Sequence, residues 1–189
     1  RVKARRIGEA KNPGPESSIS LVQCNLTSWR ENWQCIPEGT IWAVQEVKVS
    51  KREFMKDVKS MGSKAITSIE TNGHVLCGIV ANRGEIRSIP VPRADNKRIA
   101  AGVWSLGQQH LAIISVYAPQ QEDLGGQASL MNSIIGLIGE LARYGNLPTV
   151  LAGDFNQVRG QSELGRLLDS MGWIDAGDKP TCRASRTRV

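Results

Sequence analysis

The sequence predicts an α/β fold of the α+β kind, in which two mixed, largely antiparallel sheets pack face to face with helices outside. Three observations point there. Short apolar segments are separated by turn-like pieces such as "TNGH", "NRG" and "GQQ", the spacing of hairpins rather than of βαβ units. Three other stretches carry apolar residues at helical spacing. The chain has 189 residues, enough for a sizeable core, and two layers of sheet covered by helices would bury every apolar face.

In chain order, residues 1–17 are polar and punctuated by Pro, Gly and Ser ("KNPGPESS") and read as a flexible basic arm or linker. A domain is expected over 18–189. "SISLVQCN" alternates apolar residues and ends in Asn25, and "TIWAVQEV", 40–47, is a mostly apolar strand. The next stretch places Phe54, Met55, Val58 and Met61 on one helical face, with Ser50 as cap and Gly62 as stop. The strands "KAITSIE", "VLCGIVAN", "GEIRSIPV", "RIAAGVWSL" and "HLAIISVYAP" follow. A helix is expected over 127–144, with Leu130, Ile134, Leu137, Ile138 and Leu141 on one stripe. "PTVLAGDFN" is the last strand, and a helix over 161–171 carries Leu164, Leu167, Leu168 and Met171 on one side.

The net charge is +6, unevenly laid out: residues 1–11 carry +4, residues 179–189 carry +4 and the body between them −2. Two basic ends favour a polyanionic partner less strongly than a basic globular surface does. The cysteines Cys24, Cys35, Cys77 and Cys182 form no C-x-x-C pair, which argues against a zinc cluster and for a reducing compartment. Cys24 and Cys77 read as small core residues. No apolar run approaches the roughly 18 residues of a membrane span, and "RVKARRIGEAK" lacks the apolar segment of a secretory signal.

Four apolar strands end in polar groups that a core has no use for. The first ends in Asn25 and the second carries Gln45 and Glu46; "LAIISVYAPQ" delivers Tyr117, and "VLAGDFN" delivers Asp154 and Asn156. Strand alternation puts Asp154 and Asn156 on one face and Phe155 on the other. Turn formation explains Asp and Asn equally well, and Tyr117 alone reads as a core aromatic. A carboxylate inside an apolar strand such as that of Glu46 is costly unless paired or bound to a cation. Together these groups offer oxygen donors suited to Mg²⁺ and to phosphoryl chemistry at the carboxyl ends of strands.

"CNLTSW", "VQEVK", "SVYAPQ" and "LAGDFN", in this order and spacing, resemble the endonuclease/exonuclease/phosphatase superfamily. The resemblance covers about Ile19 to Val189. It implies a four-layer α/β/β/α sandwich that cleaves phosphate esters with Mg²⁺, with Mn²⁺ as a substitute. By position it implies Glu46 and Asn25 at the metal, and Asp154 activating the attacking water. Asn156 would hold the scissile phosphate or its water, and Tyr117 would donate to a phosphate oxygen. Lys48, Arg98 and Gln120 would contact substrate.

The "VYAP" form is similar to abasic-site endonucleases and to endonuclease domains of non-LTR retrotransposons, where other branches carry His. The expected function is therefore a DNA-nicking, metal-dependent phosphodiesterase cut from a retroelement polyprotein, acting inside the cell in the nucleus. A phosphatase or small-molecule phosphodiesterase of the same fold, and an inactive nucleic-acid-binding module, are the alternatives.

The chain departs from the family pattern in two places. Thr27 stands where Asp or Asn is frequent, and the chain stops at "SRTRV" before the family's later Asp and its terminal Ser-Asp-His. The resemblance thus implies a domain incomplete at its C-terminus, with its last strands missing. The two histidines, His74 and His110, fall in expected turns and read as exposed or structural.

Overall fold

The computed structural model describes residues 2–3, 19–120, 122–145, 147–157 and 159–176. Within them, five strands form one sheet in the order β1-β2-β3-β5-β4: β1 (Val2–Lys3), β2 (Ser20–Asn25), β3 (Ile41–Val49), β4 (Lys64–Thr67) and β5 (Val75–Ala81). Four strands form the second sheet in the order β6-β7-β8-β9: β6 (Glu85–Ser88), β7 (Ile99–Leu106), β8 (Gln109–Tyr117) and β9 (Thr149–Asp154). Each sheet contains one parallel pair, β2 with β3 and β8 with β9; the other pairings are antiparallel. Val2 and Lys3 pair with Leu21 and Ser20 through their backbones; the rest of the basic arm, Cys182 and the basic C-terminal run lie outside the described residues.

Both parallel pairs need a crossover, and in each case the crossover contains helix. Between β2 and β3 run α1 (Trp29–Asn32) and a 3₁₀ turn, Trp33–Cys35. Sequence reading missed α1, because one helical turn shows no periodicity. It is held by packing instead: Trp29 is fully buried, meets Phe54 edge-on at 4.5 Å and donates its indole N–H to Asp57 at 3.0 Å. Between β8 and β9 runs α3 (Leu124–Ala142). It starts three residues earlier than its apolar stripe predicts, because Asp123 caps it by accepting from the Gly126 N–H at 2.9 Å. The other helices are α2 (Lys51–Ser60), capped by Ser50 as its sequence predicts, and α4 (Glu163–Ser170), capped by Ser162.

Three apolar clusters define the layers. Val22, Trp42, Val44 and Val80 on one sheet pack with Trp29, Phe54 and Val58 of α1 and α2. Ala101, Ala112, Ile114 and Val116 on the other pack with Leu130, Ile134, Leu137 and Leu141 of α3. Between the sheets lie Leu21, Ile41, Ala43, Cys77, Ile79, Ala100, Trp104, Ile113 and Ala152. Each central strand thus buries both faces, which is why β3, β5, β7 and β8 read as near-continuous apolar runs. The order is helix, sheet, sheet, helix.

Candidate active site

Parallel strands present their carboxyl ends together, so β2 with β3 and β8 with β9 each deliver their terminal residues to one edge. Asn25 pairs with Gln45, and Tyr117 with Asp154. Face-to-face packing then brings the two pairs of ends together. The Asn25 carboxamide Nδ2 donates to Glu46 Oε1 at 2.8 Å and to Asp154 Oδ2 at 2.6 Å. Its Oδ1 accepts from the Thr27 N–H at 3.2 Å. Thr27 therefore serves through its backbone N–H.

Glu46 reaches the site through a bulge. The β3–β5 register runs regularly to Gln45↔Cys77 and resumes at Val49↔Val75, so Glu46, Val47 and Lys48 stand opposite Leu76 alone. Glu46 and Lys48 have φ of 53° and 52°. Thr27 and Asn156 are also left-handed, at 58° and 51°, and Asn72 is the fifth such non-glycine among the described residues. Each such residue costs on the order of 1 kcal/mol or more, and this cost gathers where function constrains backbone. The bulge lets Lys48 turn back onto Glu46, with which it forms an ion pair.

Burial pushes the Glu46 carboxyl up, but hydrogen bonds from Lys48 and Asn25 and the Lys48 charge outweigh it, and the net shift is downward. The same pair raises Lys48, chiefly through its hydrogen bond to Glu46. Both stay charged at neutral pH. Tyr117 is raised by burial first and by the Glu46 and Asp154 charges next, so its phenol keeps its proton as a donor.

Asp154 is fixed by both oxygens: Oδ2 by Asn25, and Oδ1 by the Asn156 N–H at 3.1 Å. Gly153 makes this placement possible. A Cβ there would lie 2.3 Å from the Val116 carbonyl oxygen, so only glycine lets β9 approach β8 so closely just before Asp154. Gly153 thus acts inside β9, not in a turn.

Asn156 is placed differently from the sequence expectation. β9 ends at Asp154, and Asn156 lies in the bend beyond it, so strand alternation does not set its direction. Its backbone turns onto Asp154, and its Nδ2 donates to the Ala118 carbonyl at 2.9 Å. Phe155 packs into the cluster beneath α3, as expected. Arg98 precedes β7; its Nη1 donates to the Tyr117 carbonyl at 3.3 Å and its guanidinium lies 5.9 Å from the Tyr117 ring centre. Gln120 is exposed beyond the end of β8, its carbonyl accepting from the Asp123 N–H.

Neither histidine joins this set. His74 forms an isolated bridge with Thr71. His110 is not in a turn but in β8, exposed and paired with Ser105, at the opposite end of the strand from Tyr117.

Beneath the site lie Gln45, which the sequence marks as a polar residue of its strand without a role, and Ser115 and Asp95, to which the sequence assigns nothing. Gln45 and Ser115 are fully buried and Asp95 nearly so, all satisfied by partners far away in sequence. A polar residue in an apolar strand was the available signal for the first two.

Among the described residues no three His, Cys, Asp or Glu side chains cluster as a metal site. The donors present are two carboxylates held on one carboxamide. Oxygen-only donors with room for water suit Mg²⁺, which binds through one or two carboxylates. The residues fit that ion.

No protein-family model matches the sequence, and no curated protein sequence matches it. Solved structures do. The endonuclease domain of TRAS1, a telomere-specific non-LTR retrotransposon, matches with a TM-score of 0.56 at 15% identity, over 80% of this chain and 70% of that one. An AP endonuclease from Archaeoglobus fulgidus matches at 0.56 and 18%, over 79% and 67%.

This chain has the endonuclease/exonuclease/phosphatase fold.

The 3′ phosphatase NExo from Neisseria, bound to product DNA hairpin, shares that fold at a TM-score of 0.53 and 18% identity, over 74% of this chain. The chain spans only 58% of NExo's length. Within this fold the candidate site lies where the two parallel strand pairs end, with one half supplied by each sheet.

Proposed function

We propose that this chain is a Mg²⁺-dependent phosphodiesterase that nicks DNA, and that it comes from a retroelement polyprotein. One observation carries the chemistry: Asn25 holds the Glu46 and Asp154 carboxylates of two different sheets on one carboxamide. The DNA substrate is supported by the basic ends and by the "VYAP" form of the Tyr117 segment. The retroelement origin is supported by likeness to the TRAS1 domain.

Glu46, with Asn25 beside it, would hold the ion, and Mg²⁺ bound there would supply positive charge to the phosphate oxygens and the departing oxygen. Asp154 orients a water through its carboxylate and takes its proton as the water oxygen attacks phosphorus. The Asn25 and Asn156 hydrogen bonds keep that carboxylate in one rotamer. Tyr117, protonated, donates its O–H to a non-bridging oxygen as charge develops there. Lys48 and Arg98 add positive charge at the same edge, and Asn156 holds the phosphate or its water. The bond from phosphorus to the leaving oxygen breaks on the side opposite the water.

The test is supercoiled plasmid incubated with the purified protein in Mg²⁺, with EDTA as control. Conversion to the nicked form in Mg²⁺ alone is the expected result. Release of inorganic phosphate from a 3′-phosphorylated duplex without nicking would replace this reading by a phosphatase. Salt-dependent DNA binding with neither activity would replace it by a binding module.

A further inference from the structure

The two halves of the site belong to different sheets, and the surface between those sheets is mostly aliphatic. Apolar burial is non-directional and does not by itself fix how far one sheet is displaced along the other. Among the described residues, a buried carboxamide of β3 crosses this gap, beside the Cys77 thiol of β5, which donates more distantly to the Ser115 carbonyl at 3.5 Å. Gln45 is fully buried. Its Oε1 accepts from Gln23 Nε2 of β2 at 2.7 Å, and its Nε2 donates to Ser115 Oγ of β8 at 3.0 Å. The Ser115 hydroxyl donates in turn to the Val44 carbonyl at 3.4 Å, returning the chain of hydrogen bonds to β3.

Each member of this chain sits just before a residue of the site. Gln23 is two positions before Asn25 on β2. Gln45 is immediately before Glu46 and is the last regularly paired residue before the bulge. Ser115 is two positions before Tyr117 on β8. A buried carboxamide is costly when unpaired, and both of its ends are satisfied only when β2, β3 and β8 lie in one mutual position.

We infer that Gln45 is a positioning residue: its bridge from Gln23 to Ser115 sets the two sheets in the register that brings Glu46 and Asn25 to Asp154 and Tyr117. The inference rests on the nuclease reading above. Gln45 touches neither substrate nor ion; it acts through the strands it ties together. The aliphatic contacts around it supply most of the cohesion between the sheets, and the hydrogen bonds supply the direction.

The experiment compares the wild-type protein with Q45M, which keeps length and loses both hydrogen bonds, and with S115A, which breaks the same bridge from the other sheet. I79V serves as the control, since it loosens the same inter-sheet core without touching a hydrogen bond. Plasmid nicking gives kcat and KM, Mn²⁺ binding followed by electron paramagnetic resonance gives ion affinity, and thermal unfolding gives the folded fraction.

The expected result is a loss of about 10- to 100-fold in kcat or Mn²⁺ affinity for Q45M, the range found for groups that orient ligands from behind. S115A should fall in the same direction. KM for DNA should stay within about twofold, and I79V should keep wild-type kcat and Mn²⁺ affinity despite its lower melting temperature. If Q45M does not fold, S115A alone decides. Wild-type cleavage with unchanged kcat and Mn²⁺ affinity in the folded bridge variants overturns the positioning role and leaves the nuclease reading standing. A folded wild type that neither binds Mn²⁺ nor cleaves overturns the nuclease reading, and this inference with it.

Discussion

Asn25 and Asp154 stand 129 positions apart and on different sheets, yet the carboxamide of one donates to the carboxylate of the other at 2.6 Å. The same nitrogen reaches Glu46. One neutral side chain therefore sets the spacing of two like charges, and the site depends on it from both sides.

Asp154 gives the sharpest prediction for the chemistry. Replacing it with Ala removes the proposed proton acceptor, a loss of about 10²–10⁴-fold in rate for a positioned acid–base group. Cleavage by Asp154→Ala should fall by at least that much, while its melting curve stays close to wild type because the residue is only half-buried. An unchanged nicking rate would remove Asp154 from the mechanism.

Lys48 separates phosphate contact from chemistry. It is an exposed cation held on Glu46, so Lys48→Met should weaken DNA binding about equally across sequences. It should also lower the slope of log K against log salt by about one, the signature of one phosphate contact. Filter binding at several salt concentrations measures both. A slope that does not move would mean the lysine serves only Glu46.

Gly153 tests the backbone geometry. The Cβ of Gly153→Ala would meet the Val116 carbonyl at 2.3 Å. The clash forces β9 away from β8, at a cost of roughly 1–3 kcal/mol for overpacking. Denaturant unfolding should show that loss, and cleavage per folded molecule should also drop because Asp154 moves with the strand.

Asp95 tests the support of Arg98. Its Oδ2 accepts from Ser129 and Ser133 of α3 at 2.8 and 2.7 Å, and its carbonyl accepts from the Arg98 N–H at 2.8 Å. Asp95→Ala leaves two serine hydroxyls without their acceptor, worth about 1–3 kcal/mol for a buried group. Urea unfolding should register it, and KM for DNA should rise as Arg98 loses its anchored loop.

Cys77 gives a prediction in pH. Burial pushes its thiol up to about 12, while Cys35 is exposed. At pH 8 an alkylating reagent should label Cys35 readily and Cys77 only after unfolding, as mass spectrometry would show. Unfolded Cys77 loses its proton near its ordinary value of 9.0 and folded Cys77 near 12. Between these the unfolded state holds fewer protons, so stability is full below about 9 and declines as pH rises toward 12.

Much of this was legible along the chain. Near-continuous apolar runs marked β3, β5, β7 and β8. The stripe of Leu130, Ile134 and Leu137 marked α3, and Ser50 marked the start of α2. Polar residues at strand ends marked Asn25, Glu46, Tyr117 and Asp154, because a core strand has no use for them. These signals are local: periodicity, capping and the cost of burying a polar group act over a few residues, and a sequence displays them directly.

Other features are set between segments far apart. Three residues of β3 stand opposite one of β5, so Glu46 and Lys48 leave the regular ladder with left-handed backbone and meet at the site's edge, which no sequence pattern announces. Asn156 owes its direction to a bend and to the Ala118 carbonyl. Gln45, Ser115 and Asp95 look like misplaced polar residues until their partners, 22 to 71 positions away, are known. The sequence by itself determined the strands, the three longer helices and which polar groups lie at the strand ends, while the single turn of α1 rests on tertiary packing. Only the tertiary structure decided which of those groups meet, because strand register and the packing of one sheet on the other are fixed by contacts between distant segments that no local pattern records.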